Sequence, residues 1–222
     1  MMHLGSIRGT TIGIDLSFLI LVALFVVSGY DPNAGIQHAL LWVPVLFISV
    51  LIHELAHAAT IGLFGYGPSE IVLGGIGGAT MNRRTAKPWH DVLISLAGPL
   101  ASFALAWLII FSYWRVPFAH RDPMMIEFLP LLATANTWWG EFNLLPISPL
   151  DGGHAVRSFL RIFLRERNAF RISVWIAIVA GAAVVIWAIF RRWIVLAVLI
   201  GWYVFMNYQQ WQYYRDHGMP GD

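Results

Sequence analysis

The amino-acid sequence predicts an all-α polytopic membrane protein with about six transmembrane helices. Three observations carry that expectation. Of 222 residues, 58% are hydrophobic and 12% charged, where a soluble domain carries about 25% charged residues. Mean hydropathy is +0.67. The apolar residues are also gathered into long runs that contain few or no charges. This composition excludes a soluble globular enzyme as well as a disordered or collagen-like chain. With no cysteine, disulfide frameworks, cysteine-ligated zinc and thiol nucleophiles are excluded too. A net charge of +2 is too small for a nucleic-acid surface, so no nucleic-acid partner is expected.

A helix crossing the hydrocarbon core needs about 20 mostly apolar residues. The first expected span covers residues 14–30, and Asp15 opens it. No basic segment directly precedes it and no small-residue cleavage site follows, so it reads as a retained span. The others cover residues 36–64, 92–114, 128–147, 172–190 and 193–214. Pro146 and Pro149 stop the fourth, because proline removes a helix donor and clashes with the preceding turn. Gly152-Gly153 then permit a sharp turn. Phe159, Leu160, Ile162, Phe163 and Leu164 alternate with arginines between Arg157 and Arg171, which predicts a short basic amphipathic helix against lipid headgroups. The longest connection, residues 65–91, is glycine-rich. None is long enough for a second domain, so residues 1–222 read as a single integral-membrane domain.

Loop charges set the expected orientation. Arg8, Arg83, Arg84, Lys87, Arg157, Arg161, Arg165, Arg167, Arg171 and Arg215 fall on the side of the N-terminus. Only Arg115, Arg121, Arg191 and Arg192 fall on the other. The excess places both termini of this multi-pass chain in the cytoplasm.

Ionisable groups within a span are costly and mark function. The second span contains His53-Glu54-Leu55-Ala56-His57. Residues four apart share a helix face, so the two imidazoles can bind one metal while Glu54 reaches a metal-bound water as general base. A catalytic zinc takes three protein ligands and keeps one position open. Asp151 is the best third candidate, since the second and fourth spans run the same way and bring it to the depth of the histidines. An ordinary Asp-Gly turn at a helix exit would carry the same residues.

Beyond these, Asn143-Leu-Leu-Pro146 leads to Leu150-Asp151-Gly152-Gly153, with Asn136 seven residues earlier. Leu96-Ala97-Gly98-Pro99-Leu100 lies in the third span, and Gly74-Gly75-Ile76-Gly77-Gly78 follows the histidine helix. The opening reads Gly9-x-x-Ile12-x-Ile14-x-x-Ser17-Phe18. From about residue 5 to residue 160 this ordered set resembles the site-2 proteases, a family of intramembrane zinc metalloproteases. The resemblance implies His53, His57 and Asp151 as ligands of one Zn2+ per chain, Glu54 as base, and hydrolysis of peptide bonds within or near the membrane. The expected form is compact, lacking the PDZ and CBS domains of other members.

Asn143 is the candidate donor to the reaction's oxyanion; an Asn that only ties a broken helix to its neighbour would look the same. A small membrane-associated β element is expected at residues 71–80. There Gly74, Gly75, Ile76, Gly77 and Gly78 would let an unwound substrate add as a strand. Gly98-Pro99 is read as a bend or close helix contact. His154 is read as a solvated histidine, and Glu141 as a charge facing an arginine or a wet cavity. The expected partners are transmembrane protein substrates and membrane lipids, and the family commonly acts in regulated intramembrane proteolysis. A six-span metal transporter or a non-catalytic metal-binding scaffold fits the ligands equally. Glu54 separates them, because transport needs no base beside the metal-bound water.

Overall fold

The computed structural model describes residues 1–218 except residues 8, 33–34, 76, 83–84, 114 and 117–121. Ile76 of the glycine-rich segment, and Arg8, Arg83, Arg84 and Arg121 of the charge pattern, lie outside the described residues. The chain is mostly helical, with one four-stranded sheet, and divides into two compact units.

The first unit comprises Met1–Ala86 and Ala97–Glu141. Strands β1 (Met2–Ile7) and β2 (Thr10–Ile14) pair antiparallel. The chain then turns into α1 (Leu16–Ser28), and Asp15 caps that helix by accepting from the Ser17 amide at 3.0 Å. After α2 (Gly35–Leu40) and α3 (Trp42–Leu63) it returns as β3 (Ser69–Gly74), parallel to β2. Parallel strands need such a helical crossover. β4 (Gly77–Asn82) pairs antiparallel with β3 and ends the sheet, whose order is β1-β2-β3-β4. Burial alternates along β3, with Ser69, Ile71 and Leu73 buried, as a period of two requires when one face meets a core. That face packs with Ile12 and Phe18 on Leu46, Val50 and Ala58 of α3. The unit also takes the later part of α4 (Pro88–Tyr113) and most of α5 (Pro123–Asn143).

The second unit comprises Lys87–Leu96 and Phe142–Asp222. α5 stops at Asn143, and α6 (Asp151–Phe163) begins after an irregular stretch holding both prolines. α7 (Glu166–Phe190) and α8 (Ile194–His217) form a helical pair. Gly181 lies where a methyl would strike Val204, so the two backbones approach closely at a small residue. Ile147, Leu150, Ala177, Ile200 and Tyr203 form the core. Asn207 donates to the Ser148 carbonyl at 2.6 Å, tying the irregular stretch to α8.

Two local expectations change. Gly152 and Gly153 make no sharp turn: both lie in the first turn of α6, and neither has positive φ. A methyl at Gly152 would strike the carbonyls of Leu144 and Leu145, and one at Gly153 the backbone of Ile147–Ser148. Their glycines answer a close approach of backbones. The short helix also runs earlier than expected, ending at Phe163, while Arg165–Arg171 already belong to the cap and start of α7. It buries its small residues Gly152, Gly153, Ala155 and Ser158 and leaves Phe159, Ile162 and Phe163 exposed.

Among the described residues, three helical segments are long and apolar enough to cross a membrane: Gly35–Leu63, Pro88–Tyr113 and Glu166–Phe190. These fall on the second, third and fifth expected spans. α1 has 13 residues, about 20 Å of helix at 1.5 Å per residue, against a hydrocarbon core of about 30 Å. α5 carries Glu127, Pro130, Asn136 and Glu141, and the second half of α8 carries Asn207, Gln209, Gln210 and Gln212.

Candidate metal centre

α3 is a run of leucine, isoleucine and valine interrupted by three ionisable residues within five positions. His53, Glu54 and His57 are 2%, 4% and 6% exposed. Spacing of four residues puts the imidazoles on one face; their ring centroids are 4.9 Å apart, at 75° to one another.

Both rings point the same nitrogen at one spot on α4. A methyl built on Gly98 would strike Nε2 of His57 and Nε2 of His53. Glycine at 98 thus keeps open the point where the two nitrogens converge. One turn further along α4, Ser102 is fully buried, and its Oγ lies 3.1 Å from His53 Nδ1. A ring that donates from Nδ1 presents its Nε2 lone pair to a metal, and such an outer hydrogen bond fixes both tautomer and ring orientation. Gly98 and Ser102 therefore work as a pair, one giving room and the other aligning a ligand. The sequence reading missed Ser102 and took Gly98-Pro99 as a bend or close helix contact without linking it to the histidines. A polar Ser one turn from a glycine in an apolar span was the available signal.

Glu54 is held from the sheet. Thr80 Oγ1 on β4 lies 2.7 Å from Glu54 Oε2 and 3.1 Å from the Glu54 carbonyl, and can donate to either. A methyl at Gly78 would strike the Glu54 side chain, so the strand backbone lies directly against the carboxylate. Gly77 has φ +122, and a methyl there would meet the Trp139 ring, so position 77 requires glycine on two counts. Gly74 ends β3. Gly75 donates its amide to Ser17 Oγ at 2.9 Å, and Ser17 Oγ in turn donates to Asp15 at 2.5 Å. Ser17 of the opening motif thus anchors the tip of the glycine segment. The segment expected as one strand element is two, β3 and β4, with β4 at the sheet edge. β1 and β2, unpredicted, complete the sheet, although Thr10-Thr11-Ile12-Gly13-Ile14 carries β-branched residues suited to a strand.

A second polar anchor lies one turn before His53. Asn136 of α5 is fully buried and donates from Nδ2 to Ser49 Oγ and to the Leu132 carbonyl, both at 2.8 Å.

Asp151 opens α6 and is half-buried. One ligand atom from each of His53, His57 and Asp151 lies within 4.8 Å of the others. Two imidazole nitrogens and one carboxylate oxygen, with a further position open, are the donor set of a catalytic zinc; the residues fit that metal. Asn143 is the last residue of α5 and is half-buried. His154 and Glu141 are exposed. The solvated reading of His154 agrees with that.

A sequence model of the Peptidase M50B-like family matches residues 16–148, and one of Peptidase family M50 matches residues 115–188. The chain belongs to the Peptidase M50B-like family. The site-2 protease resemblance is borne out with it. A zinc metalloprotease of Methanocaldococcus jannaschii is 33% identical, the match covering 71% of this chain and 45% of that protein. Rip3 of Mycobacterium tuberculosis is 32% identical over 91% of this chain and 56% of its own. This M50B-like chain spans about half the length of those two relatives. A solved structure titled site-2 protease, also from M. jannaschii, superposes with a TM-score of 0.68 at 24% identity, covering 94% of each chain. That likeness is one of fold.

Proposed function

We propose that this M50B-like chain is a single integral-membrane zinc endopeptidase domain. It hydrolyses peptide bonds within or near transmembrane segments of membrane-protein substrates, in regulated intramembrane proteolysis. The observation that carries the reading is the convergence of His53 and His57 Nε2 opposite Gly98, with Glu54 held next to them by Thr80. A transport or scaffold site needs the ligands but gains nothing from an oriented base.

In this reading His53, His57 and Asp151 hold one zinc ion per chain. The bound metal supplies Lewis acidity and lowers the pKa of a water towards about 7. Glu54 takes the proton of the attacking water at Oε1, with Oε2 steadied by the Thr80 hydroxyl, and later returns it to the leaving amine. Asn143 donates from its amide to the oxyanion that develops at the scissile carbonyl. The outer edge of β4 receives the unwound substrate as an added strand. Gly74, Gly75, Ile76, Gly77 and Gly78 belong to this docking element, where the lack of side chains lets backbones meet. All six apolar segments are assigned to the membrane, with both termini cytoplasmic, as the arginine asymmetry supports.

The test is cleavage of a panel of tagged single-span proteins by purified wild type and Glu54→Gln, with zinc measured in both. The proposal expects cleavage by the wild type alone and about one zinc in each. Zinc in both with cleavage by neither, together with zinc flux into liposomes, would replace it with the transporter reading. Absence of zinc from both would remove the ligand assignment.

A further inference from the structure

We infer that the cleft between the start of α7 and the end of α8 binds the phosphate group of an anionic lipid headgroup. The cleft has a volume of about 260 Å³ and is lined by Arg167, Phe170, Arg171, Trp211, Tyr214 and Arg215. Arg167 and Arg171 stand four residues apart in the first two turns of α7, on one face, where like charges repel.

The neighbouring acids are committed elsewhere. Glu166 accepts from Arg157 Nε and Nη2 at 2.9 and 2.6 Å and also pairs with Arg161. Arg215 donates to Asp216 at 2.8 Å, a bond that holds the Asp216 carboxyl below the usual range and keeps it charged. One of the three cleft arginines is thus offset within the protein. Arg167 and Arg171 form no ion pair among the described residues. Aromatic rings make the floor. Phe170 is 4% exposed and meets Tyr214 edge-on at 5.3 Å, while the Arg215 guanidinium lies 5.1 Å from the Trp211 ring centre. Two exposed guanidinium forks over a flat apolar base suit the paired charged oxygens of a phosphate diester.

Depth favours a lipid over a soluble phosphate. α7 is apolar enough to cross a membrane, and its charge-free run begins at Ile172, directly after Arg171. The arginines therefore stand where the helix leaves hydrocarbon, at the level of lipid phosphates, with Trp211 and Tyr214 beside them as interfacial aromatics.

The full-length protein, delipidated in an uncharged detergent, is titrated with phosphatidylglycerol and with phosphatidylcholine of identical chains. Binding is read by native mass spectrometry, with inorganic phosphate as competitor. We expect phosphatidylglycerol to bind about tenfold tighter, and R167Q/R171Q to abolish that preference. R167K/R171K, which keeps the charge and loses the fork, should fall between. R191Q/R192Q at the opposite end of α7 should match the wild type. If millimolar phosphate leaves the lipid bound, the lipid is the source; full displacement by phosphate overturns the lipid assignment in favour of a soluble anion. Equal binding of the two lipids, or wild-type preference in both the Gln and Lys pairs, overturns the site.

Discussion

The histidine helix of the first unit and the arginine-rich helix ends of the second hold their charged groups in different ways. In α3 of the first, His53 and Glu54 are almost completely buried and are held by neutral hydroxyls: Ser102 on His53, Thr80 on Glu54. In the second, charge meets charge. Glu166 takes Arg157 and Arg161, and Asp91 lies 4.0 Å from Arg161 while also accepting from the buried Ser158 hydroxyl at 2.6 Å; the charged side chains are roughly a quarter to two-fifths exposed. A hydroxyl orients a reactive group without neutralising it, whereas an opposite charge would consume the nucleophilicity or basicity that catalysis uses. The half-exposed network instead joins the first turns of α4 and α7 to the middle and last turn of α6, where its charged members remain partly hydrated and contribute modestly to stability.

That contrast can be broken from the reactive side first. Glu54→Gln should lower turnover about 10²–10⁴-fold, the usual range for a general base, with zinc content unchanged by elemental analysis. Gly98→Ala should lose metal, because the added methyl occupies the point where both Nε2 atoms converge; zinc well below one equivalent in folded protein is the expected result. Ser102→Ala should weaken zinc affinity about 10–100-fold, measured by competition with a chelator, and Ser102→Thr should retain more of it. Thr80→Val should lower kcat about tenfold with little change in zinc content, since it loosens a base and not a ligand. On the other side of the comparison, Arg157→Gln should cost at most about 1 kcal/mol in an unfolding titration and leave zinc binding alone. An Arg157→Gln effect on metal affinity as large as that of Ser102→Ala would erase the distinction between the two units.

The residues of the proposed zinc centre were legible in the sequence and their supports were not. His53, Glu54 and His57 declare themselves because helical period alone sets their relation, and Asp151 because breaks at Pro146 and Pro149 must end a span. Ser102, Gly98 and Thr80 act only through tertiary approach. Ser102 is 49 residues from the ring it orients and Thr80 is 26 from the base, and no local pattern links them. Gly152 and Gly153 misled for a related reason: a glycine pair signals a turn or a close approach equally well, and only the backbone of residues 144–148 decides between them. The same holds for α1 and α8, whose apolar composition is plain, while length in one and a polar second half in the other separate them from the three segments suited to cross a bilayer.

β4 ends its sheet, and its six residues, Gly-Gly-Ala-Thr-Met-Asn, contain neither a charge nor a proline. Soluble proteins guard such margins with lysine, proline or a bulge, because any extended chain that drifts past will join them. A margin this undefended is safe only in surroundings where extended chains are scarce. A bilayer is such a place: its proteins satisfy their backbones as helices or closed barrels, and a helix offers a strand nothing to join until it comes undone.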